Sequence, residues 1–184
     1  QKKEDAERLI GELSAEPAGP ATVISIEKKK ENKNAPLLYN LAELQNDCSK
    51  YFKISPDETL RIVQELYEKK MTTYPRTDAR VLSTAVAKEI HKNIGGLRNY
   101  ALAAPFAKEV LEQGTYKNIA KTRYVNDKQI TDHYAIIPTG QGLNNLAGLA
   151  PTAAKVYEVI VRRFLSIFYP PAVYQKFSLT LQVK

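Results

Sequence analysis

The sequence has 184 residues, enough to bury a hydrophobic core and to form one large or two small domains. Its 27 lysines and arginines outnumber its 20 aspartates and glutamates, and the resulting charge of +7 suits a polyanionic partner such as nucleic acid. Cys48 is the only cysteine, which excludes an intramolecular disulfide and favours a reducing compartment, and no apolar run reaches the roughly 18 residues that a membrane span needs.

The N-terminal region predicts one helix followed by one strand. Apolar residues of the stretch 2–15 fall on one stripe, which is typical of an amphipathic helix. In residues 22–26, apolar and β-branched side chains favour a strand. Residues 27–34 are predicted to form a lysine-rich turn or loop. The lysines at 28–30 either follow a DNA backbone or form an ordinary solvated charge run.

A helix with a clear start signal precedes residues 71–78, which contain the candidate catalytic side chains. From Leu37 the apolar spacing is helical. Ser55 is then followed by a proline and, three residues on, by a glutamate, which predicts a capped helix start. This helix is predicted to run to about Lys70, with Tyr67 among its inward-facing residues. It gives Tyr74, which lies just beyond it, a rigid base.

Two further helices are predicted in the middle of the chain. Ser83 can cap a helix that a glycine pair ends at residues 95–96. Residues 98–113 are also helical in pattern, with a break or kink at Pro105 and a stop at Gly114.

The stretch 115–129 is polar and irregular, and its basic side chains, which include Lys121 and Arg123, lie between two tyrosines. Basic and aromatic residues in alternation can hold single-stranded nucleic acid by charge and stacking. The alternative is an ordinary surface loop.

The C-terminal region predicts a long helix and a closing strand. The helix opens at Pro151 and carries Arg162 and Arg163 near its end, where they either contact phosphate or complement the helix dipole. Residues 177–183 alternate between apolar and polar, as a half-buried strand does. With a strand near each end, the sequence predicts an α+β fold, mainly helical, in which the ends pair in one sheet and the middle is an insertion.

Residues 71–78 combine a phenol, a guanidinium and a carboxylate around a proline. Tyrosine is a weak nucleophile at its free pKa of about 10, so an attacking tyrosine needs a nearby cation or a bound electrophile. Pro75 favours an extended segment, in which Tyr74 and Arg76 share a face. The alternative is a packed Tyr74 at a helix-to-loop joint, with Arg76 and Asp78 as a surface ion pair.

Two motifs resemble one family. Residues 73–78 read T-Y-P-R-T-D and are followed by A-R-V-L-S at 79–83, which resembles the active-site segment of type IA DNA topoisomerases of the topoisomerase III kind. Residues 131–139, T-D-H-Y-A-I-I-P-T, are similar to a histidine-containing segment of the same family. The resemblance extends over roughly residues 36–184.

The resemblance implies a mechanism. Tyr74 is expected to attack a phosphodiester of single-stranded DNA and form a 5′-phosphotyrosine link, which is resealed without ATP after another strand has passed. Arg76 is expected to bind the scissile phosphate, and Thr77 to donate a hydrogen bond to it. His133 either contacts a neighbouring phosphate or the reacting centre, or is a loop histidine bonded to backbone. Asp78 is expected to orient Arg76 or a backbone amide.

The resemblance also implies a domain arrangement. Residues 1–35 and 164–184 are expected to belong to a β-rich arch domain. Residues 36–163 are expected to form the helical domain that bears Tyr74, inserted between strands of the arch domain.

Cofactor and partners follow from the same resemblance. The family uses an acidic, magnesium-binding domain, but the sequence has no Asp-x-Asp pair. Mg²⁺ is therefore expected only in the full-length enzyme, bound by a domain of the same chain that is absent here, and this fragment alone is predicted to be inactive. The expected partner is single-stranded DNA, and the expected setting is a monomer in the bacterial cytoplasm. The opening at Gln1 agrees with a piece of a longer protein.

Other classes of DNA protein fit less well. A tyrosine recombinase needs a His-x-x-Arg group, which follows neither His91 nor His133. A relaxase needs a histidine cluster for metal, and the sequence has two histidines. The remaining alternative is a non-enzymatic helical DNA-binding module, in which the helices after Ser55 and Ser83 form a recognition pair.

Overall fold

The computed structural model describes residues 2–14 and 21–183, and it divides into two compact units. One unit is formed by residues 1–33 together with 171–184, and the other by residues 34–170. Helices dominate, and the described strands form one small antiparallel sheet, so the predicted mainly helical α+β class is confirmed at this level. Within the described ranges, no helix is both long enough and apolar enough to cross a membrane.

The smaller unit contains a helix and a two-stranded ribbon. Its elements are helix α1 (Lys2–Leu13), strand β1 (Ala21–Lys33) and strand β2 (Ala172–Val183). The strands run antiparallel, from Ala21 opposite Val183 to Lys33 opposite Ala172. The strands predicted near the two ends of the chain therefore pair with each other.

The loop predicted at residues 27–34 is wrong, because β1 continues through this stretch to Lys33. Lys28 lies opposite Phe177 on β2, and its ammonium nitrogen is 5.6 Å from the centre of that ring. Such cross-strand contacts stabilise a strand whose own composition is unfavourable. The lysines at 28–30 are exposed, but they lie on a strand and not in a loop.

The larger unit is built from helices. Its α-helices are α2 (Leu41–Phe52), α3 (Pro56–Glu68), α4 (Thr84–Gly96), α5 (Ala104–Gln113) and α6 (Pro151–Ser166). Short 3₁₀ helices cover Leu97–Asn99, Thr115–Lys121, Asp127–Gln129 and Leu143–Gly148. Helix α3 packs against both α2 and α6, and α6 buries Tyr157 and Phe164 completely. The domain boundary predicted at residue 164 lies inside α6.

The start of α3 follows the predicted cap. The side chain of Ser55 accepts a hydrogen bond from the backbone N–H of Glu58 at 3.1 Å, and Pro56 occupies the first turn. Proline suits this position because its missing N–H has no helical partner there. The predicted cap at Ser55 and the predicted proline in the first turn are confirmed.

The end of α3 is a Schellman turn. The N–H of Met71 donates to the carbonyl of Leu66 at 2.9 Å, and the N–H of Lys70 donates to the carbonyl of Tyr67 at 2.8 Å. Lys70 itself adopts the left-handed conformation, with a φ of 61°. This pair of bonds satisfies carbonyls that the helix end would otherwise leave free, and it turns the chain sharply toward Tyr74.

The sequence predicts the start of α4 correctly but not the start of α5. Ser83 caps α4 as predicted, by accepting a hydrogen bond from the N–H of Val86 at 3.1 Å. Of the break or kink predicted at Pro105, the structure shows a break: a short 3₁₀ helix at Leu97–Asn99 is separate from α5, which begins one residue before Pro105 and holds this proline in its first turn. Proline stabilises a helix start and disrupts a helix interior. Gly114 ends α5 with a φ of 68°, as predicted.

The two arginines near the end of α6 have different environments. Arg162 is exposed and pairs with Glu158 one turn earlier, at 2.8 Å. Arg163 is turned inward: its guanidinium binds Asp47 at 3.0 Å and lies 4.0 Å from the centre of the Tyr39 ring. Only 14% of the Arg163 side chain is exposed, so the predicted phosphate contact does not match this structure.

Candidate active site

Two segments that are far apart in the sequence lie side by side. We call residues 71–78 the tyrosine segment and residues 133–139 the histidine segment. The N–H of Thr73 donates to the carbonyl of Ile137 at 3.0 Å. The N–H of Ile137 in turn donates to the hydroxyl of Thr73, also at 3.0 Å. These reciprocal bonds fix the register between the two segments.

The histidine segment is also held on its other side. The N–H of Ile136 donates to the carbonyl of Tyr39 at 2.8 Å, and the N–H of Ala135 donates to the carbonyl of Val81 at 3.1 Å. The middle of the segment is buried, with Ile136 and Ile137 at most 1% exposed. His133, by contrast, stands at the exposed start of a segment whose backbone is fixed.

Tyr74 lies between two other rings. The centre of its ring is 4.3 Å from that of His133, with the two planes inclined at 37°. It is 5.4 Å from the ring of Tyr67, in an edge-to-face arrangement at 82°. The edge-to-face pair of Tyr74 and Tyr67 has a separation and an angle that aromatic pairs prefer. Tyr74 is half-buried, so its ring is held in place while the side chain still reaches solvent.

A cleft of about 610 Å³ opens beside Tyr74. It is lined by Tyr67, Glu68, Lys70, Thr72, Thr73, Tyr74, His133, Tyr134, Thr139 and Gln141. Its size is typical of sites that bind a small ligand or one part of a larger one. Burial raises the pKa of Tyr134, so that phenol remains protonated at neutral pH. The cleft thus combines three phenols, a histidine and a lysine.

The structure does not bring Arg76 into this cleft. The N–H of Thr77 donates to the carbonyl of Pro75 at 3.0 Å, which closes a tight three-residue turn with Arg76 at its centre. Arg76 is exposed and is not among the cleft residues. Residues 75–77 therefore form a turn and not the extended segment from which the common face of Tyr74 and Arg76 was predicted, and that common face stays a prediction.

Thr77 connects the two segments. Its hydroxyl donates to the carbonyl of His133 at 3.0 Å and accepts from the N–H of Ala79 at 3.1 Å. With the hydroxyl proton used inside the protein, the predicted donation to phosphate does not match this structure. Asp78 is exposed, and no ion pair joins it to Arg76 among the described residues.

Replacing Thr77 with valine is expected to lower the free energy of unfolding by about 2 kcal/mol, because the buried N–H of Ala79 and the partly buried carbonyl of His133 lose their partner. Chemical denaturation measures the change. Thr122 provides a control, since its hydroxyl makes the same pair of bonds, donating to the carbonyl of Ile119 at 2.7 Å and accepting from the N–H of Tyr124 at 3.3 Å, while the residue itself is exposed. The Thr122→Val change is expected to cost less than about 0.5 kcal/mol. Equal losses for the two variants would contradict this role of Thr77.

The other predicted DNA contacts lie outside the cleft. Lys121 and Arg123 are exposed, and the guanidinium of Arg123 lies 5.9 Å from the centre of the Tyr124 ring. Tyr124 is buried, and its hydroxyl donates to the carbonyl of Ala35 at 2.7 Å. This ring is therefore not free to stack on a base, although the two cations remain accessible.

Four cleft residues lie outside the two sequence motifs, namely Tyr67, Glu68, Lys70 and Gln141. Tyr67, predicted to face inward, is 40% exposed and packs against Tyr74. Lys70 lines the cleft because the Schellman turn reverses the chain at that residue. A sequence signal for this turn would be a glycine after the helix, and a lysine occupies the position instead.

Comparison with known proteins first identifies the fold. It is that of a DNA topoisomerase: the structure is similar to full-length topoisomerase I from Thermotoga maritima, with a TM-score of 0.62 at 22% identity, covering 98% of this chain and 28% of that one. The family model described as DNA topoisomerase matches residues 1–184. The chain therefore belongs to the DNA topoisomerase family, which confirms the resemblance drawn from the two motifs.

Similar sequences come from Bacillus enzymes. The chain is 38% identical over 166 residues to DNA topoisomerase 3 of Bacillus cereus, covering 89% of this chain and 22% of that protein. It is 37% identical over 170 residues to DNA topoisomerase 3 of Bacillus licheniformis, covering 92% of this chain and 22% of that protein. DNA topoisomerase 3 of Bacillus subtilis is 35% identical over 164 residues. The chain spans about a fifth of the length of these relatives.

Proposed function

We propose that Tyr74 is the nucleophile of a type IA topoisomerase reaction on single-stranded DNA. Its phenolic oxygen bonds to a backbone phosphorus while the bond from that phosphorus to the 3′ oxygen of the preceding nucleotide breaks. The phenol loses one proton and the released 3′ oxygen gains one. Reversal of these steps reseals the strand after another strand has passed, which permits relaxation or decatenation.

One observation carries the proposal. Tyr74 is in ring contact with His133 at the edge of an open cleft, on two segments that are hydrogen-bonded to each other. A nucleophile that reacts by positioning needs a fixed approach to its target. In this arrangement, His133 contacts the DNA backbone beside the reacting phosphate, and Thr77 keeps the histidine in register by holding its carbonyl.

Arg76 binds the scissile phosphate from outside the cleft in this proposal. It is exposed, and among the described residues no carboxylate lies within ion-pair distance of it. A planar, permanently charged guanidinium suits the phosphate oxygens, on which charge builds during the reaction. Asp78 follows this turn directly: its backbone carbonyl accepts from the side chain of Asn40 at 3.1 Å, and in this proposal its carboxylate orients Arg76 or a backbone amide. Lys121 and Arg123 contact the DNA backbone outside the cleft, away from the phosphate that Tyr74 attacks.

Replacing Arg76 with alanine is expected to lower the rate of DNA cleavage about 100-fold, because one charged donor to the transition state is lost. Arg76→Lys is expected to restore only part of it, since lysine cannot bind two phosphate oxygens in the same plane. Single-turnover cleavage of a labelled oligonucleotide by variants of the complete protein measures both. Arg61, an exposed arginine beside Glu58 on α3, is the control, and its alanine variant is expected to cleave normally.

We also propose the domain arrangement that the resemblance implies. The helical unit is inserted between β1 and β2, which belong to a β-rich arch domain of a longer, monomeric, cytoplasmic enzyme. Magnesium does not fit the residues present: within residues 2–14 and 21–183, no three histidine, cysteine, aspartate or glutamate side chains meet as a metal site. An acidic domain elsewhere in the complete protein binds the ion, and this chain alone does not cleave DNA.

The polarity of the covalent link tests the proposed function. The complete protein is incubated with a single-stranded oligonucleotide labelled at either end and is then denatured. A 5′-phosphotyrosine link retains the 3′-terminal label on the protein and releases the 5′-terminal label. Retention of the 5′-terminal label, or binding that denaturation reverses completely, contradicts the proposal. The second outcome identifies a non-enzymatic DNA-binding module.

A further inference from the structure

Lys70 has an unfavourable backbone conformation at the edge of the cleft. Its φ of 61° lies in the left-handed region, which glycine adopts easily and residues with a Cβ do not. It occupies the position after the α3 end that is most often glycine in a Schellman turn. Strained residues of this kind cluster at functional sites. The position of Lys70 at the edge of the cleft therefore suggests a function for its side chain.

The surrounding backbone keeps Lys70 in this conformation. The hydroxyl of Thr139, on the histidine segment, donates to the carbonyl of Lys70 at 2.6 Å. The side chain of Asn145 donates to the carbonyl of Lys69 at 3.3 Å. Gly142 packs so closely that a Cβ there would come within 2.3 Å of the Lys69 carbonyl oxygen. The turn therefore presents the side chain of Lys70 from a fixed point beside the histidine segment.

The charge of Lys70 is not neutralised within the described residues. Its neighbour Lys69 pairs with Glu65 at 2.9 Å, whereas no carboxylate lies within 4.0 Å of the Lys70 ammonium in the described part of the chain. Glu68 lines the same cleft, and its carboxylate accepts from the side chain of Gln64 at 3.4 Å. Lys70 is exposed and shares the cleft with Tyr74, so its ammonium is available to an anion bound there.

We propose that Lys70 binds a backbone phosphate of the single-stranded DNA next to the one that Tyr74 attacks. This inference rests on the proposed function, because it takes the ligand of the cleft to be DNA. An ammonium on a flexible stem binds phosphate as a point charge and without regard to base sequence. The strain of the left-handed turn is retained because it directs this cation into the cleft.

A comparison with Lys53 tests the proposal. Lys53 is also an exposed lysine in the left-handed conformation at a helix end, with a φ of 58°, but it does not line the cleft. Lys53→Gln and Lys70→Gln remove the same charge from equally strained positions. Each is made in the complete protein in a Tyr74→Phe background, so that only reversible binding of a single-stranded oligonucleotide is measured, by fluorescence anisotropy over a range of salt concentrations.

The Lys70→Gln change is expected to weaken binding about fivefold at low salt and to reduce the slope of log K against log salt by about 0.7, the value for one phosphate contact to single-stranded DNA. Lys53→Gln is expected to leave that slope unchanged, and Lys70→Arg to keep it close to that of the parent protein. Equal slopes for the Lys53 and Lys70 glutamine variants overturn the proposal.

Glycine variants separate strain from charge. Lys53→Gly and Lys70→Gly are each expected to raise the melting temperature of this domain by about 2 °C, since glycine relieves the left-handed conformation. Only Lys70→Gly is expected to weaken DNA binding as well, and unchanged binding for this variant overturns the proposal.

If the parent protein itself does not bind the oligonucleotide, the proposed function fails. If it binds and the Lys70 variants bind equally well, only the role of Lys70 fails.

Discussion

Replacing Arg163 with alanine is expected to lower the free energy of unfolding by about 3 kcal/mol, the largest stability effect we expect in this chain. Arg163 donates to the Leu37 carbonyl at 2.9 Å, to Asp47 at 3.0 Å and to the Tyr39 hydroxyl at 3.2 Å. Its loss leaves a largely buried carboxylate without its counter-charge. Burial and the hydrogen bond to Asp47 raise the pKa of Tyr39, so that phenol stays protonated and is the remaining partner of the carboxylate.

The neighbouring Arg162 provides the control for this prediction. It is exposed and forms an ion pair with Glu158, so its replacement by alanine is expected to cost less than about 0.5 kcal/mol. Urea denaturation of both variants measures the difference. A cost for Arg163→Ala no larger than that for Arg162→Ala would contradict the structural role of the buried arginine. The loss of Arg163 is also expected to reduce DNA cleavage, since Tyr39 bonds the histidine segment at Ile136.

Replacing Tyr74 with phenylalanine is expected to abolish covalent capture of DNA while reversible binding continues. The change removes only the phenolic oxygen, the atom that forms the bond to phosphorus in the proposed reaction. Phenylalanine keeps the ring that packs against Tyr67 and His133, so the fold and the shape of the cleft are retained. The complete protein is incubated with a labelled oligonucleotide and denatured, and gel separation then measures the adduct.

Tyr67 provides a matched control for this prediction. It lines the same cleft and packs edge-to-face on Tyr74, and the Tyr67→Phe change removes the same atom from a neighbouring ring. This variant is expected to form the adduct at a rate close to that of the unmodified protein. If Tyr74→Phe still formed the adduct and Tyr67→Phe did not, Tyr67 and not Tyr74 would be the nucleophile.

Local signals predicted the helix ends because the interactions involved are local. Ser55 and Ser83 each bond an N–H three residues away, and Gly114 needs only its own backbone freedom. Such contacts are fully specified by a few consecutive residues. The lysine-rich part of β1 was missed because its strand conformation depends on β2, about 150 residues later in the chain.

The candidate site was predictable only in part, because several of its contacts join residues that are far apart in the sequence. Sequence motifs singled out Tyr74 and His133, and the structure places their rings in contact. The bond from Thr77 to His133 spans 56 residues, and no short pattern encodes it. The turns at Arg76 and Lys70 were not predicted, because the residue types at these positions do not reveal the backbone geometry.

The identity of the residue that becomes linked to DNA tests the central claim most directly. The complete protein is allowed to react with a single-stranded oligonucleotide, the adduct is digested with protease and nuclease, and the modified peptide is sequenced by mass spectrometry. We expect the residual nucleotide on Tyr74. A nucleotide attached instead to Tyr67 or Tyr134, which line the same cleft, would contradict the account.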